Sequence, residues 1–255
     1  MISTRLQSAR PTFSADSIAA IQGEIVQVLH TGRLILGPYT ERFEAAFAEY
    51  IGTRHAVAVS SGTAAMQIVW QYLDLSPIDR VAIPTNTFIA TLNAVRYAGG
   101  TPLICDTNTQ GLGISAFNPI VKYNACVHLG GFPMRQPRPT IVEDCAHAHG
   151  ATIDGRKVGS FGLAGCFSFY PTKPMTAGTG GMITTNDAAL SAYAQSLRHH
   201  GQTDKTLDVL ERFGHDWLMS EFQAIIGYWQ LAELDIMLLH RRHLAHAYEG
   251  YLKDV

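Results

Sequence analysis

The feature that most constrains the fold is a regular alternation of two hydrophobic periods. "HAVAVS" (55–60) is a short, nearly continuous apolar run, and "GTAAMQIVWQYL" after it has helical spacing. "RVAIP" and "FIATLNAVRYAG" repeat the pair, and "TPLICD" follows as a third strand-like run. Strands separated by single helices predict a parallel sheet covered on both faces, because a parallel crossover needs a helix to return the chain. Further strand patterns lie at "YNACVHL", "PTIVED", "GCFSFY" and "GMITTN". Helical patterns cover Ser14–Leu29, with Ser14 as N-cap and Gly32 past the end, the stretch around Glu41–Tyr50, and "DAALSAYAQSLRHHG", with Asp187 as N-cap and Gly201 past its end. Two more cover Met219–Leu231 and Glu233–Leu252. In the first, Ile18, Ile21, Ile25, Val28 and Leu29 form the face expected to be buried. Residues 107–122 read as a loop or irregular crossover.

Composition narrows the function classes. The 255 residues suffice for one large domain, with or without a small appendage, and 47% hydrophobic against 16% charged residues is the balance of a globular chain. A net charge of -2 with scattered Lys and Arg leaves no basic field for nucleic acid or an anionic membrane. The polar start, Met1–Phe13, has no apolar signal core, and no run reaches membrane-span length, so the chain reads as cytoplasmic. Cys105, Cys126, Cys145 and Cys166 stand roughly twenty residues apart without a CxxC pair, and none of the 11 histidines forms HExxH, so they read as reduced, buried cysteines with little support for a metal.

In a parallel sheet, chemistry is sought at the carboxyl ends of strands. Three such points carry polar groups. Ser60, Ser61, Gly62 and Thr63 form a strand-to-helix turn whose free N–H groups and helix dipole suit a phosphate, although capping alone also accounts for them. In "IVEDCAHAHG", the adjacent carboxylates Glu143 and Asp144 face opposite ways by strand alternation, so one can serve a site while the other is structural. A carboxylate held against a pyridine nitrogen would deepen the electron sink of pyridoxal 5′-phosphate (PLP), and His147 could be a core histidine or a donor to the same ligand. Lys173 follows "FSFYPT", in which Ser168 and Tyr170 point one way and Phe167 and Phe169 the other. At the end of a buried strand its amine would be desolvated and nucleophilic toward an aldehyde.

Taken in order, "GRLILGPYTERFEAAFAEYIG", "SSGTAAM", "IPTNTFIATLNAV", "VHLGGFP", "VEDCAHAHGA", "GSFGLAGCFSFYPTK", "GTGGMITTND", "LRHHG" and "MSEFQAIIGYWQL" resemble the DegT/DnrJ/EryC1/StrS sugar aminotransferases, PLP enzymes of fold type I. The resemblance implies an aspartate aminotransferase-like, three-layer α/β/α large domain over residues 1–232. It also implies that 233–255 is a helix leading into a truncated or absent C-terminal domain.

The same resemblance implies that Lys173 forms a Schiff base with PLP and shuttles the proton. Asp144 would pair with the pyridinium nitrogen. Ser61, Gly62, Thr63 and Ser168 would hold the phosphate, Phe88 would stack on the ring, and His147 would lie beside the phenolic oxygen. The implied reaction moves an amino group from an amino acid, usually L-glutamate, to a keto group of a nucleotide-linked sugar, in a homodimer with each site at the interface. A non-catalytic, PLP-binding partner subunit is the alternative. The sequence departs from the family's pattern at Asp216, where Asn usually reaches the partner's phosphate, at Leu218 for Arg, at Thr179 and at Pro174. The stretch between Asp106 and Val127 is short for the family.

Overall fold

The computed structural model describes residues 10–107, 113–114, 121, 123–135, 142–203 and 209–253. Most of the 107–122 loop and the first residues of "PTIVED" lie outside them. The alternation appears as expected: β1 (His55–Val59), α3 (Gly62–Tyr72), β2 (Arg80–Pro84), α4 (Ile89–Tyr97) and β3 (Thr101–Cys105). Before them come α1 (Ala15–Thr31) and α2 (Pro38–Ile51). After them come β4 (Tyr123–Val127), β5 (Val142–Asp144), a small hairpin of β6 (Thr152–Ile153) and β7 (Arg156–Lys157), then β8 (Ala164–Ser168), β9 (Gly181–Thr185), α5 (Ala188–Leu197), α6 (Glu221–Ala232) and α7 (Leu234–Tyr251).

The central sheet has seven strands in the order β1-β9-β8-β5-β4-β2-β3. Six run parallel to one another, and β9 runs antiparallel between β8 and β1. No helix separates β8 from β9, so the chain can only turn back beside itself. The hairpin of β6 and β7 is an element that the sequence pattern does not announce.

Strand alternation sorts side chains into two cores. Val57, Val59, Cys166 and Ile183 face Trp70 and Ile68 of α3 and Leu190 of α5. Ala56, Ala58, Phe167 and Met182 face Phe43 and Phe47 of α2 and Ala224 of α6. Phe47 meets Phe167 and Phe169 edge-on at 4.9 and 5.5 Å between ring centres. Each such buried ring contributes about 1.5–3 kcal/mol by burial.

The helix ends follow local chemistry. Ser14 Oγ accepts from Ser17 N at 3.1 Å, Gly32 takes the left-handed conformation (φ 67°), and Asp187 caps α5. The expected apolar face of α1 is a narrower stripe than its periodicity suggests: Val28 is buried, whereas Ile18 and Leu29 are 47% and 62% exposed. α1 packs chiefly on α6, with Glu24 paired to Arg42 of α2 at 2.6 Å, and much of its outer face stays exposed. The start of α2 is capped from a distance. Buried Glu221 accepts from the backbone N–H groups of Gly37, Tyr39 and Thr40 at 3.1, 2.9 and 3.0 Å. α7 is anchored by buried Leu234, with Met237 and Leu238 against the second core, and is solvent-exposed from Leu239 onward. Among the described residues no helix is long and apolar enough to cross a membrane.

Candidate active site

The carboxyl ends of β8, β5 and β4 and the N-terminus of α3 surround a cavity of about 630 Å³. Ser61 is the N-cap of α3, its Oγ accepting from Ala64 N at 3.0 Å. Gly62 and Thr63 occupy the first two helical positions, where an N–H has no intrahelical acceptor, and both line the cavity. Capping and anion binding are therefore compatible in this turn, the first using a side chain and the second using backbone. Two glycines allow the close approach. A Cβ on Gly62 would lie 2.8 Å from Ser168 Cβ, and one on Gly181 would lie 2.3 Å from Ser61 O and 2.6 Å from Gly62 N. Ser168, at the end of β8, is thereby held against the start of α3.

On β5 the two carboxylates separate as strand alternation requires. Asp144 lines the cavity, its Oδ2 accepting from Thr91 Oγ1 at 2.7 Å and its Oδ1 from Ala146 N at 3.1 Å. Thr91 Oγ1 also lies 2.8 Å from Thr87 Oγ1. Because the Thr91 proton is committed to the carboxylate, Thr87 donates, and the chain runs Thr87 to Thr91 to Asp144.

Glu143 points to the other face. Its Oε1 accepts from Phe161 N and Gly162 N at 2.7 and 2.9 Å, and its Oε2 from Gly159 N and His128 Nε2 at 2.9 and 3.1 Å. Burial alone would push this carboxyl up, but the bonds from His128, Gly159 and Gly162 hold it below its usual value. Glu143, His128 and Cys145 place ligand-type atoms within 4.8 Å of one another. Glu143 and His128 are satisfied by hydrogen bonds to each other and to backbone N–H groups. His128 Nδ1 accepts from Met134 N at 2.9 Å, so Nε2 keeps the proton, and burial pushes the Cys145 thiol well up.

Lys173 stands five residues beyond β8 rather than at the strand end itself, on a turn closed by its own N–H donating to Tyr170 O at 2.9 Å. Its half-buried amine lies at the cavity, its pKa lowered from 10.5 by burial and partly restored by the charge of Asp144. His147 lines the same cavity and accepts from Gly130 N at its Nδ1, 3.2 Å away. Burial, then the charge of Lys173, lowers its pKa, with Asp144 opposing. Phe88 sits at the N-cap of α4 with its side chain on the cavity wall and 66% exposed. Tyr170 and Ser168 line the cavity while Phe167 and Phe169 enter the core, as alternation predicts.

The cavity thus brings together Ser61, Gly62, Thr63, Phe88, Asp144, His147, Ser168 and Lys173. Asp216 stays outside it, exposed on a two-residue bridge with His199. Sequence reasoning missed Thr91 and its partner Thr87. Their spacing of four across the start of α4 is a signal only once Asp144 is known to face them. It also missed Gly181, whose place in "GTGG" gives no hint of contact with Ser61.

A sequence profile of the DegT/DnrJ/EryC1/StrS aminotransferase family matches residues 16–118 and 138–255. GDP-perosamine synthase of Caulobacter vibrioides is 35% identical over 85% of this chain and 62% of its own length. UDP-N-acetyl-3-dehydro-alpha-D-glucosamine 3-aminotransferase of Acidithiobacillus ferrooxidans is 37% identical over 89% and 66%. The chain therefore spans slightly under two thirds of the length of these curated relatives. Helicobacter pylori PseC, described as an aminotransferase of pseudaminic acid biosynthesis, superposes with a TM-score of 0.89 at 25% identity, over 99% of this chain and 72% of that one. With the profile matching most of the chain and the fold shared, this protein belongs to the DegT/DnrJ/EryC1/StrS aminotransferase family.

Proposed function

We propose that the protein is a PLP-dependent aminotransferase that moves an amino group from an amino acid, L-glutamate in our reading, to a keto group of a nucleotide-linked sugar. The observation that carries this reading is the meeting of Lys173, Asp144 and the unpaired N–H pair of Gly62 and Thr63 in one cavity. These groups fit the three ends of the cofactor. Backbone N–H groups at a helix N-terminus, with Ser168, suit a phosphate; Asp144 suits a protonated ring nitrogen; and a desolvated lysine suits an aldehyde. When bound, PLP supplies that aldehyde for amine exchange and an electron sink that acidifies the neighbouring carbon.

The chain's own residues would do the rest. Lys173, its pKa depressed by burial, keeps more free amine near neutral pH and can take a proton from the substrate carbon and return it. Asp144, oriented by Thr91, would keep the proton on the ring nitrogen. Phe88 would cover the ring, and His147 would lie beside its phenolic oxygen. The names of the relatives support a nucleotide sugar as acceptor. We carry forward a cytoplasmic homodimer in which Asp216 approaches the partner's site. We also carry forward a large domain through residue 232, with the helix from 233 entering a smaller one.

The test is spectroscopic. Protein saturated with PLP should show a visible absorption band that Lys173→Ala abolishes, that L-glutamate bleaches and that a keto sugar nucleotide restores. Absence of the band in wild type refutes the reading. A band that no amino donor bleaches would instead identify a non-catalytic partner subunit.

A further inference from the structure

The cavity uses only one face of β5. Glu143 points to the other face, and although His128 borders the cavity, both side chains are only 1% exposed and meet each other at 3.1 Å. His128 is nevertheless tied to its surroundings three times. Its N–H donates to Asp144 O at 3.0 Å, its Nε2–H donates to Glu143, and its Nδ1 accepts from Met134 N. The last bond joins the two ends of the 128–134 loop. Within that loop Gly130 and Gly131 both have positive φ, 64° and 85°, and Gly131 N donates to His128 O at 3.3 Å. Phe132 N donates to Leu129 O at 3.1 Å and Cys126 Sγ lies 3.6 Å from Met134 O, so the His128 side chain is the tie from the buried Glu143 cluster among several that close this glycine turn.

That course aims the Gly130 N–H at His147 Nδ1. A ring nitrogen that accepts a hydrogen bond carries no proton, so neutral His147 holds its proton on Nε2. We propose that Glu143 and His128 are a positioning pair that, by closing the 128–134 loop, fixes His147 as an Nε2–H donor at the cavity. Glu143 is suited to the task because four donors fix its own carboxylate. The benefit to a bound PLP, a donor set opposite its phenolic oxygen, rests on the function proposed above; the tautomer does not.

The experiment is a long-range ¹H–¹⁵N correlation spectrum of the full chain labelled at histidine, with amide exchange measured in parallel. In wild type, His128 and His147 should each appear as a single Nε2–H tautomer, and the Gly130 and Met134 amides should be protected. His128→Leu should lose the single His147 tautomer, and His128→Asn, whose amide oxygen can still accept from Met134, should recover it. A His147 proton on Nδ1 in wild type overturns the proposal, as does an unchanged His147 in folded His128→Leu. Should His128→Leu not fold, the wild-type spectrum and the Gly130 and Met134 exchange rates decide: an unprotected Gly130 amide overturns the proposal, and protection with both Nε2–H tautomers supports it. Failure of the protein to give a visible band with PLP would refute the proposed function and leave this spectrum unchanged.

Discussion

Replacing Thr91 with valine tests how Asp144 is held. Thr91 is fully buried, and valine matches its shape, so the substitution removes a hydroxyl and little else. Asp144 Oδ2 loses its 2.7 Å donor, leaving Ala146 N on the other oxygen, and Thr87 loses its acceptor. A hydrogen bond to a charged group is worth about 1.5–3 kcal/mol. The added methyl returns about 0.8 kcal/mol through burial. The expected net loss is about 1–2 kcal/mol, or about 2–8 °C in Tm for a chain of this size. Misorientation of the carboxylate should also weaken PLP binding by about tenfold, equivalent to about 1.4 kcal/mol. Thermal denaturation with and without PLP measures both effects, and Thr91→Ser, which removes the methyl but keeps the donor, should leave PLP affinity near that of the wild type. Wild-type Tm and PLP affinity in Thr91→Val, or equal weakening of PLP binding in both variants, would refute the role given to this hydroxyl.

Four other outcomes are expected. The ammonium of Lys173, followed by NMR titration of its Cε, should lose its proton below pH 10.5, and at a lower pH still in Asp144→Asn, because the aspartate charge favours the ammonium; a rise in that variant contradicts the assignment. His149 is buried against Phe167 and Phe169 with its pKa lowered to about 3, chiefly by burial. The unfolded chain takes up its proton near pH 6.5 and the folded chain does not, so stability should fall as pH drops from 6.5 towards 3, by about 1.4 kcal/mol per unit; His149→Phe should flatten that limb in Tm measured between pH 7 and 5. Gly181→Ala would put a methyl 2.3 Å from Ser61 O. Its overpacking cost of about 1–3 kcal/mol or more should appear in urea unfolding, together with at least tenfold weaker PLP binding. Glu221→Ala should cost at least about 3 kcal/mol in the same assay, because it leaves several buried donors unsatisfied at about 1–3 kcal/mol each.

Much of the site could be read from local pattern. Glu143 and Asp144 had to diverge because neighbouring strand residues face opposite sides, and Ser168 and Tyr170 had to part from Phe167 and Phe169 for the same reason. The Ser61 turn was marked by a capping residue before a helical run, and Lys173 by its place after a buried strand. Asp216 was legible only as a motif position; in the single chain it lies on the surface, away from the other site residues.

What the sequence alone determined was the part of this protein governed by short periods: most of the sheet strands and the helices, the caps of α1 and α5, and which strand side chains share a face, although α2 begins at Pro38, ahead of the stretch around Glu41 that the pattern marks. Tertiary structure decided the rest. It inserted β9 antiparallel between β8 and β1, brought Thr91 to Asp144 across 53 positions of sequence, and set Glu221 under the start of α2 across 181 and more. The physical reason is that backbone geometry imposes periodicity within a few residues. A buried hydrogen bond between distant residues depends instead on which strands become neighbours, and that is set by packing the whole chain at once.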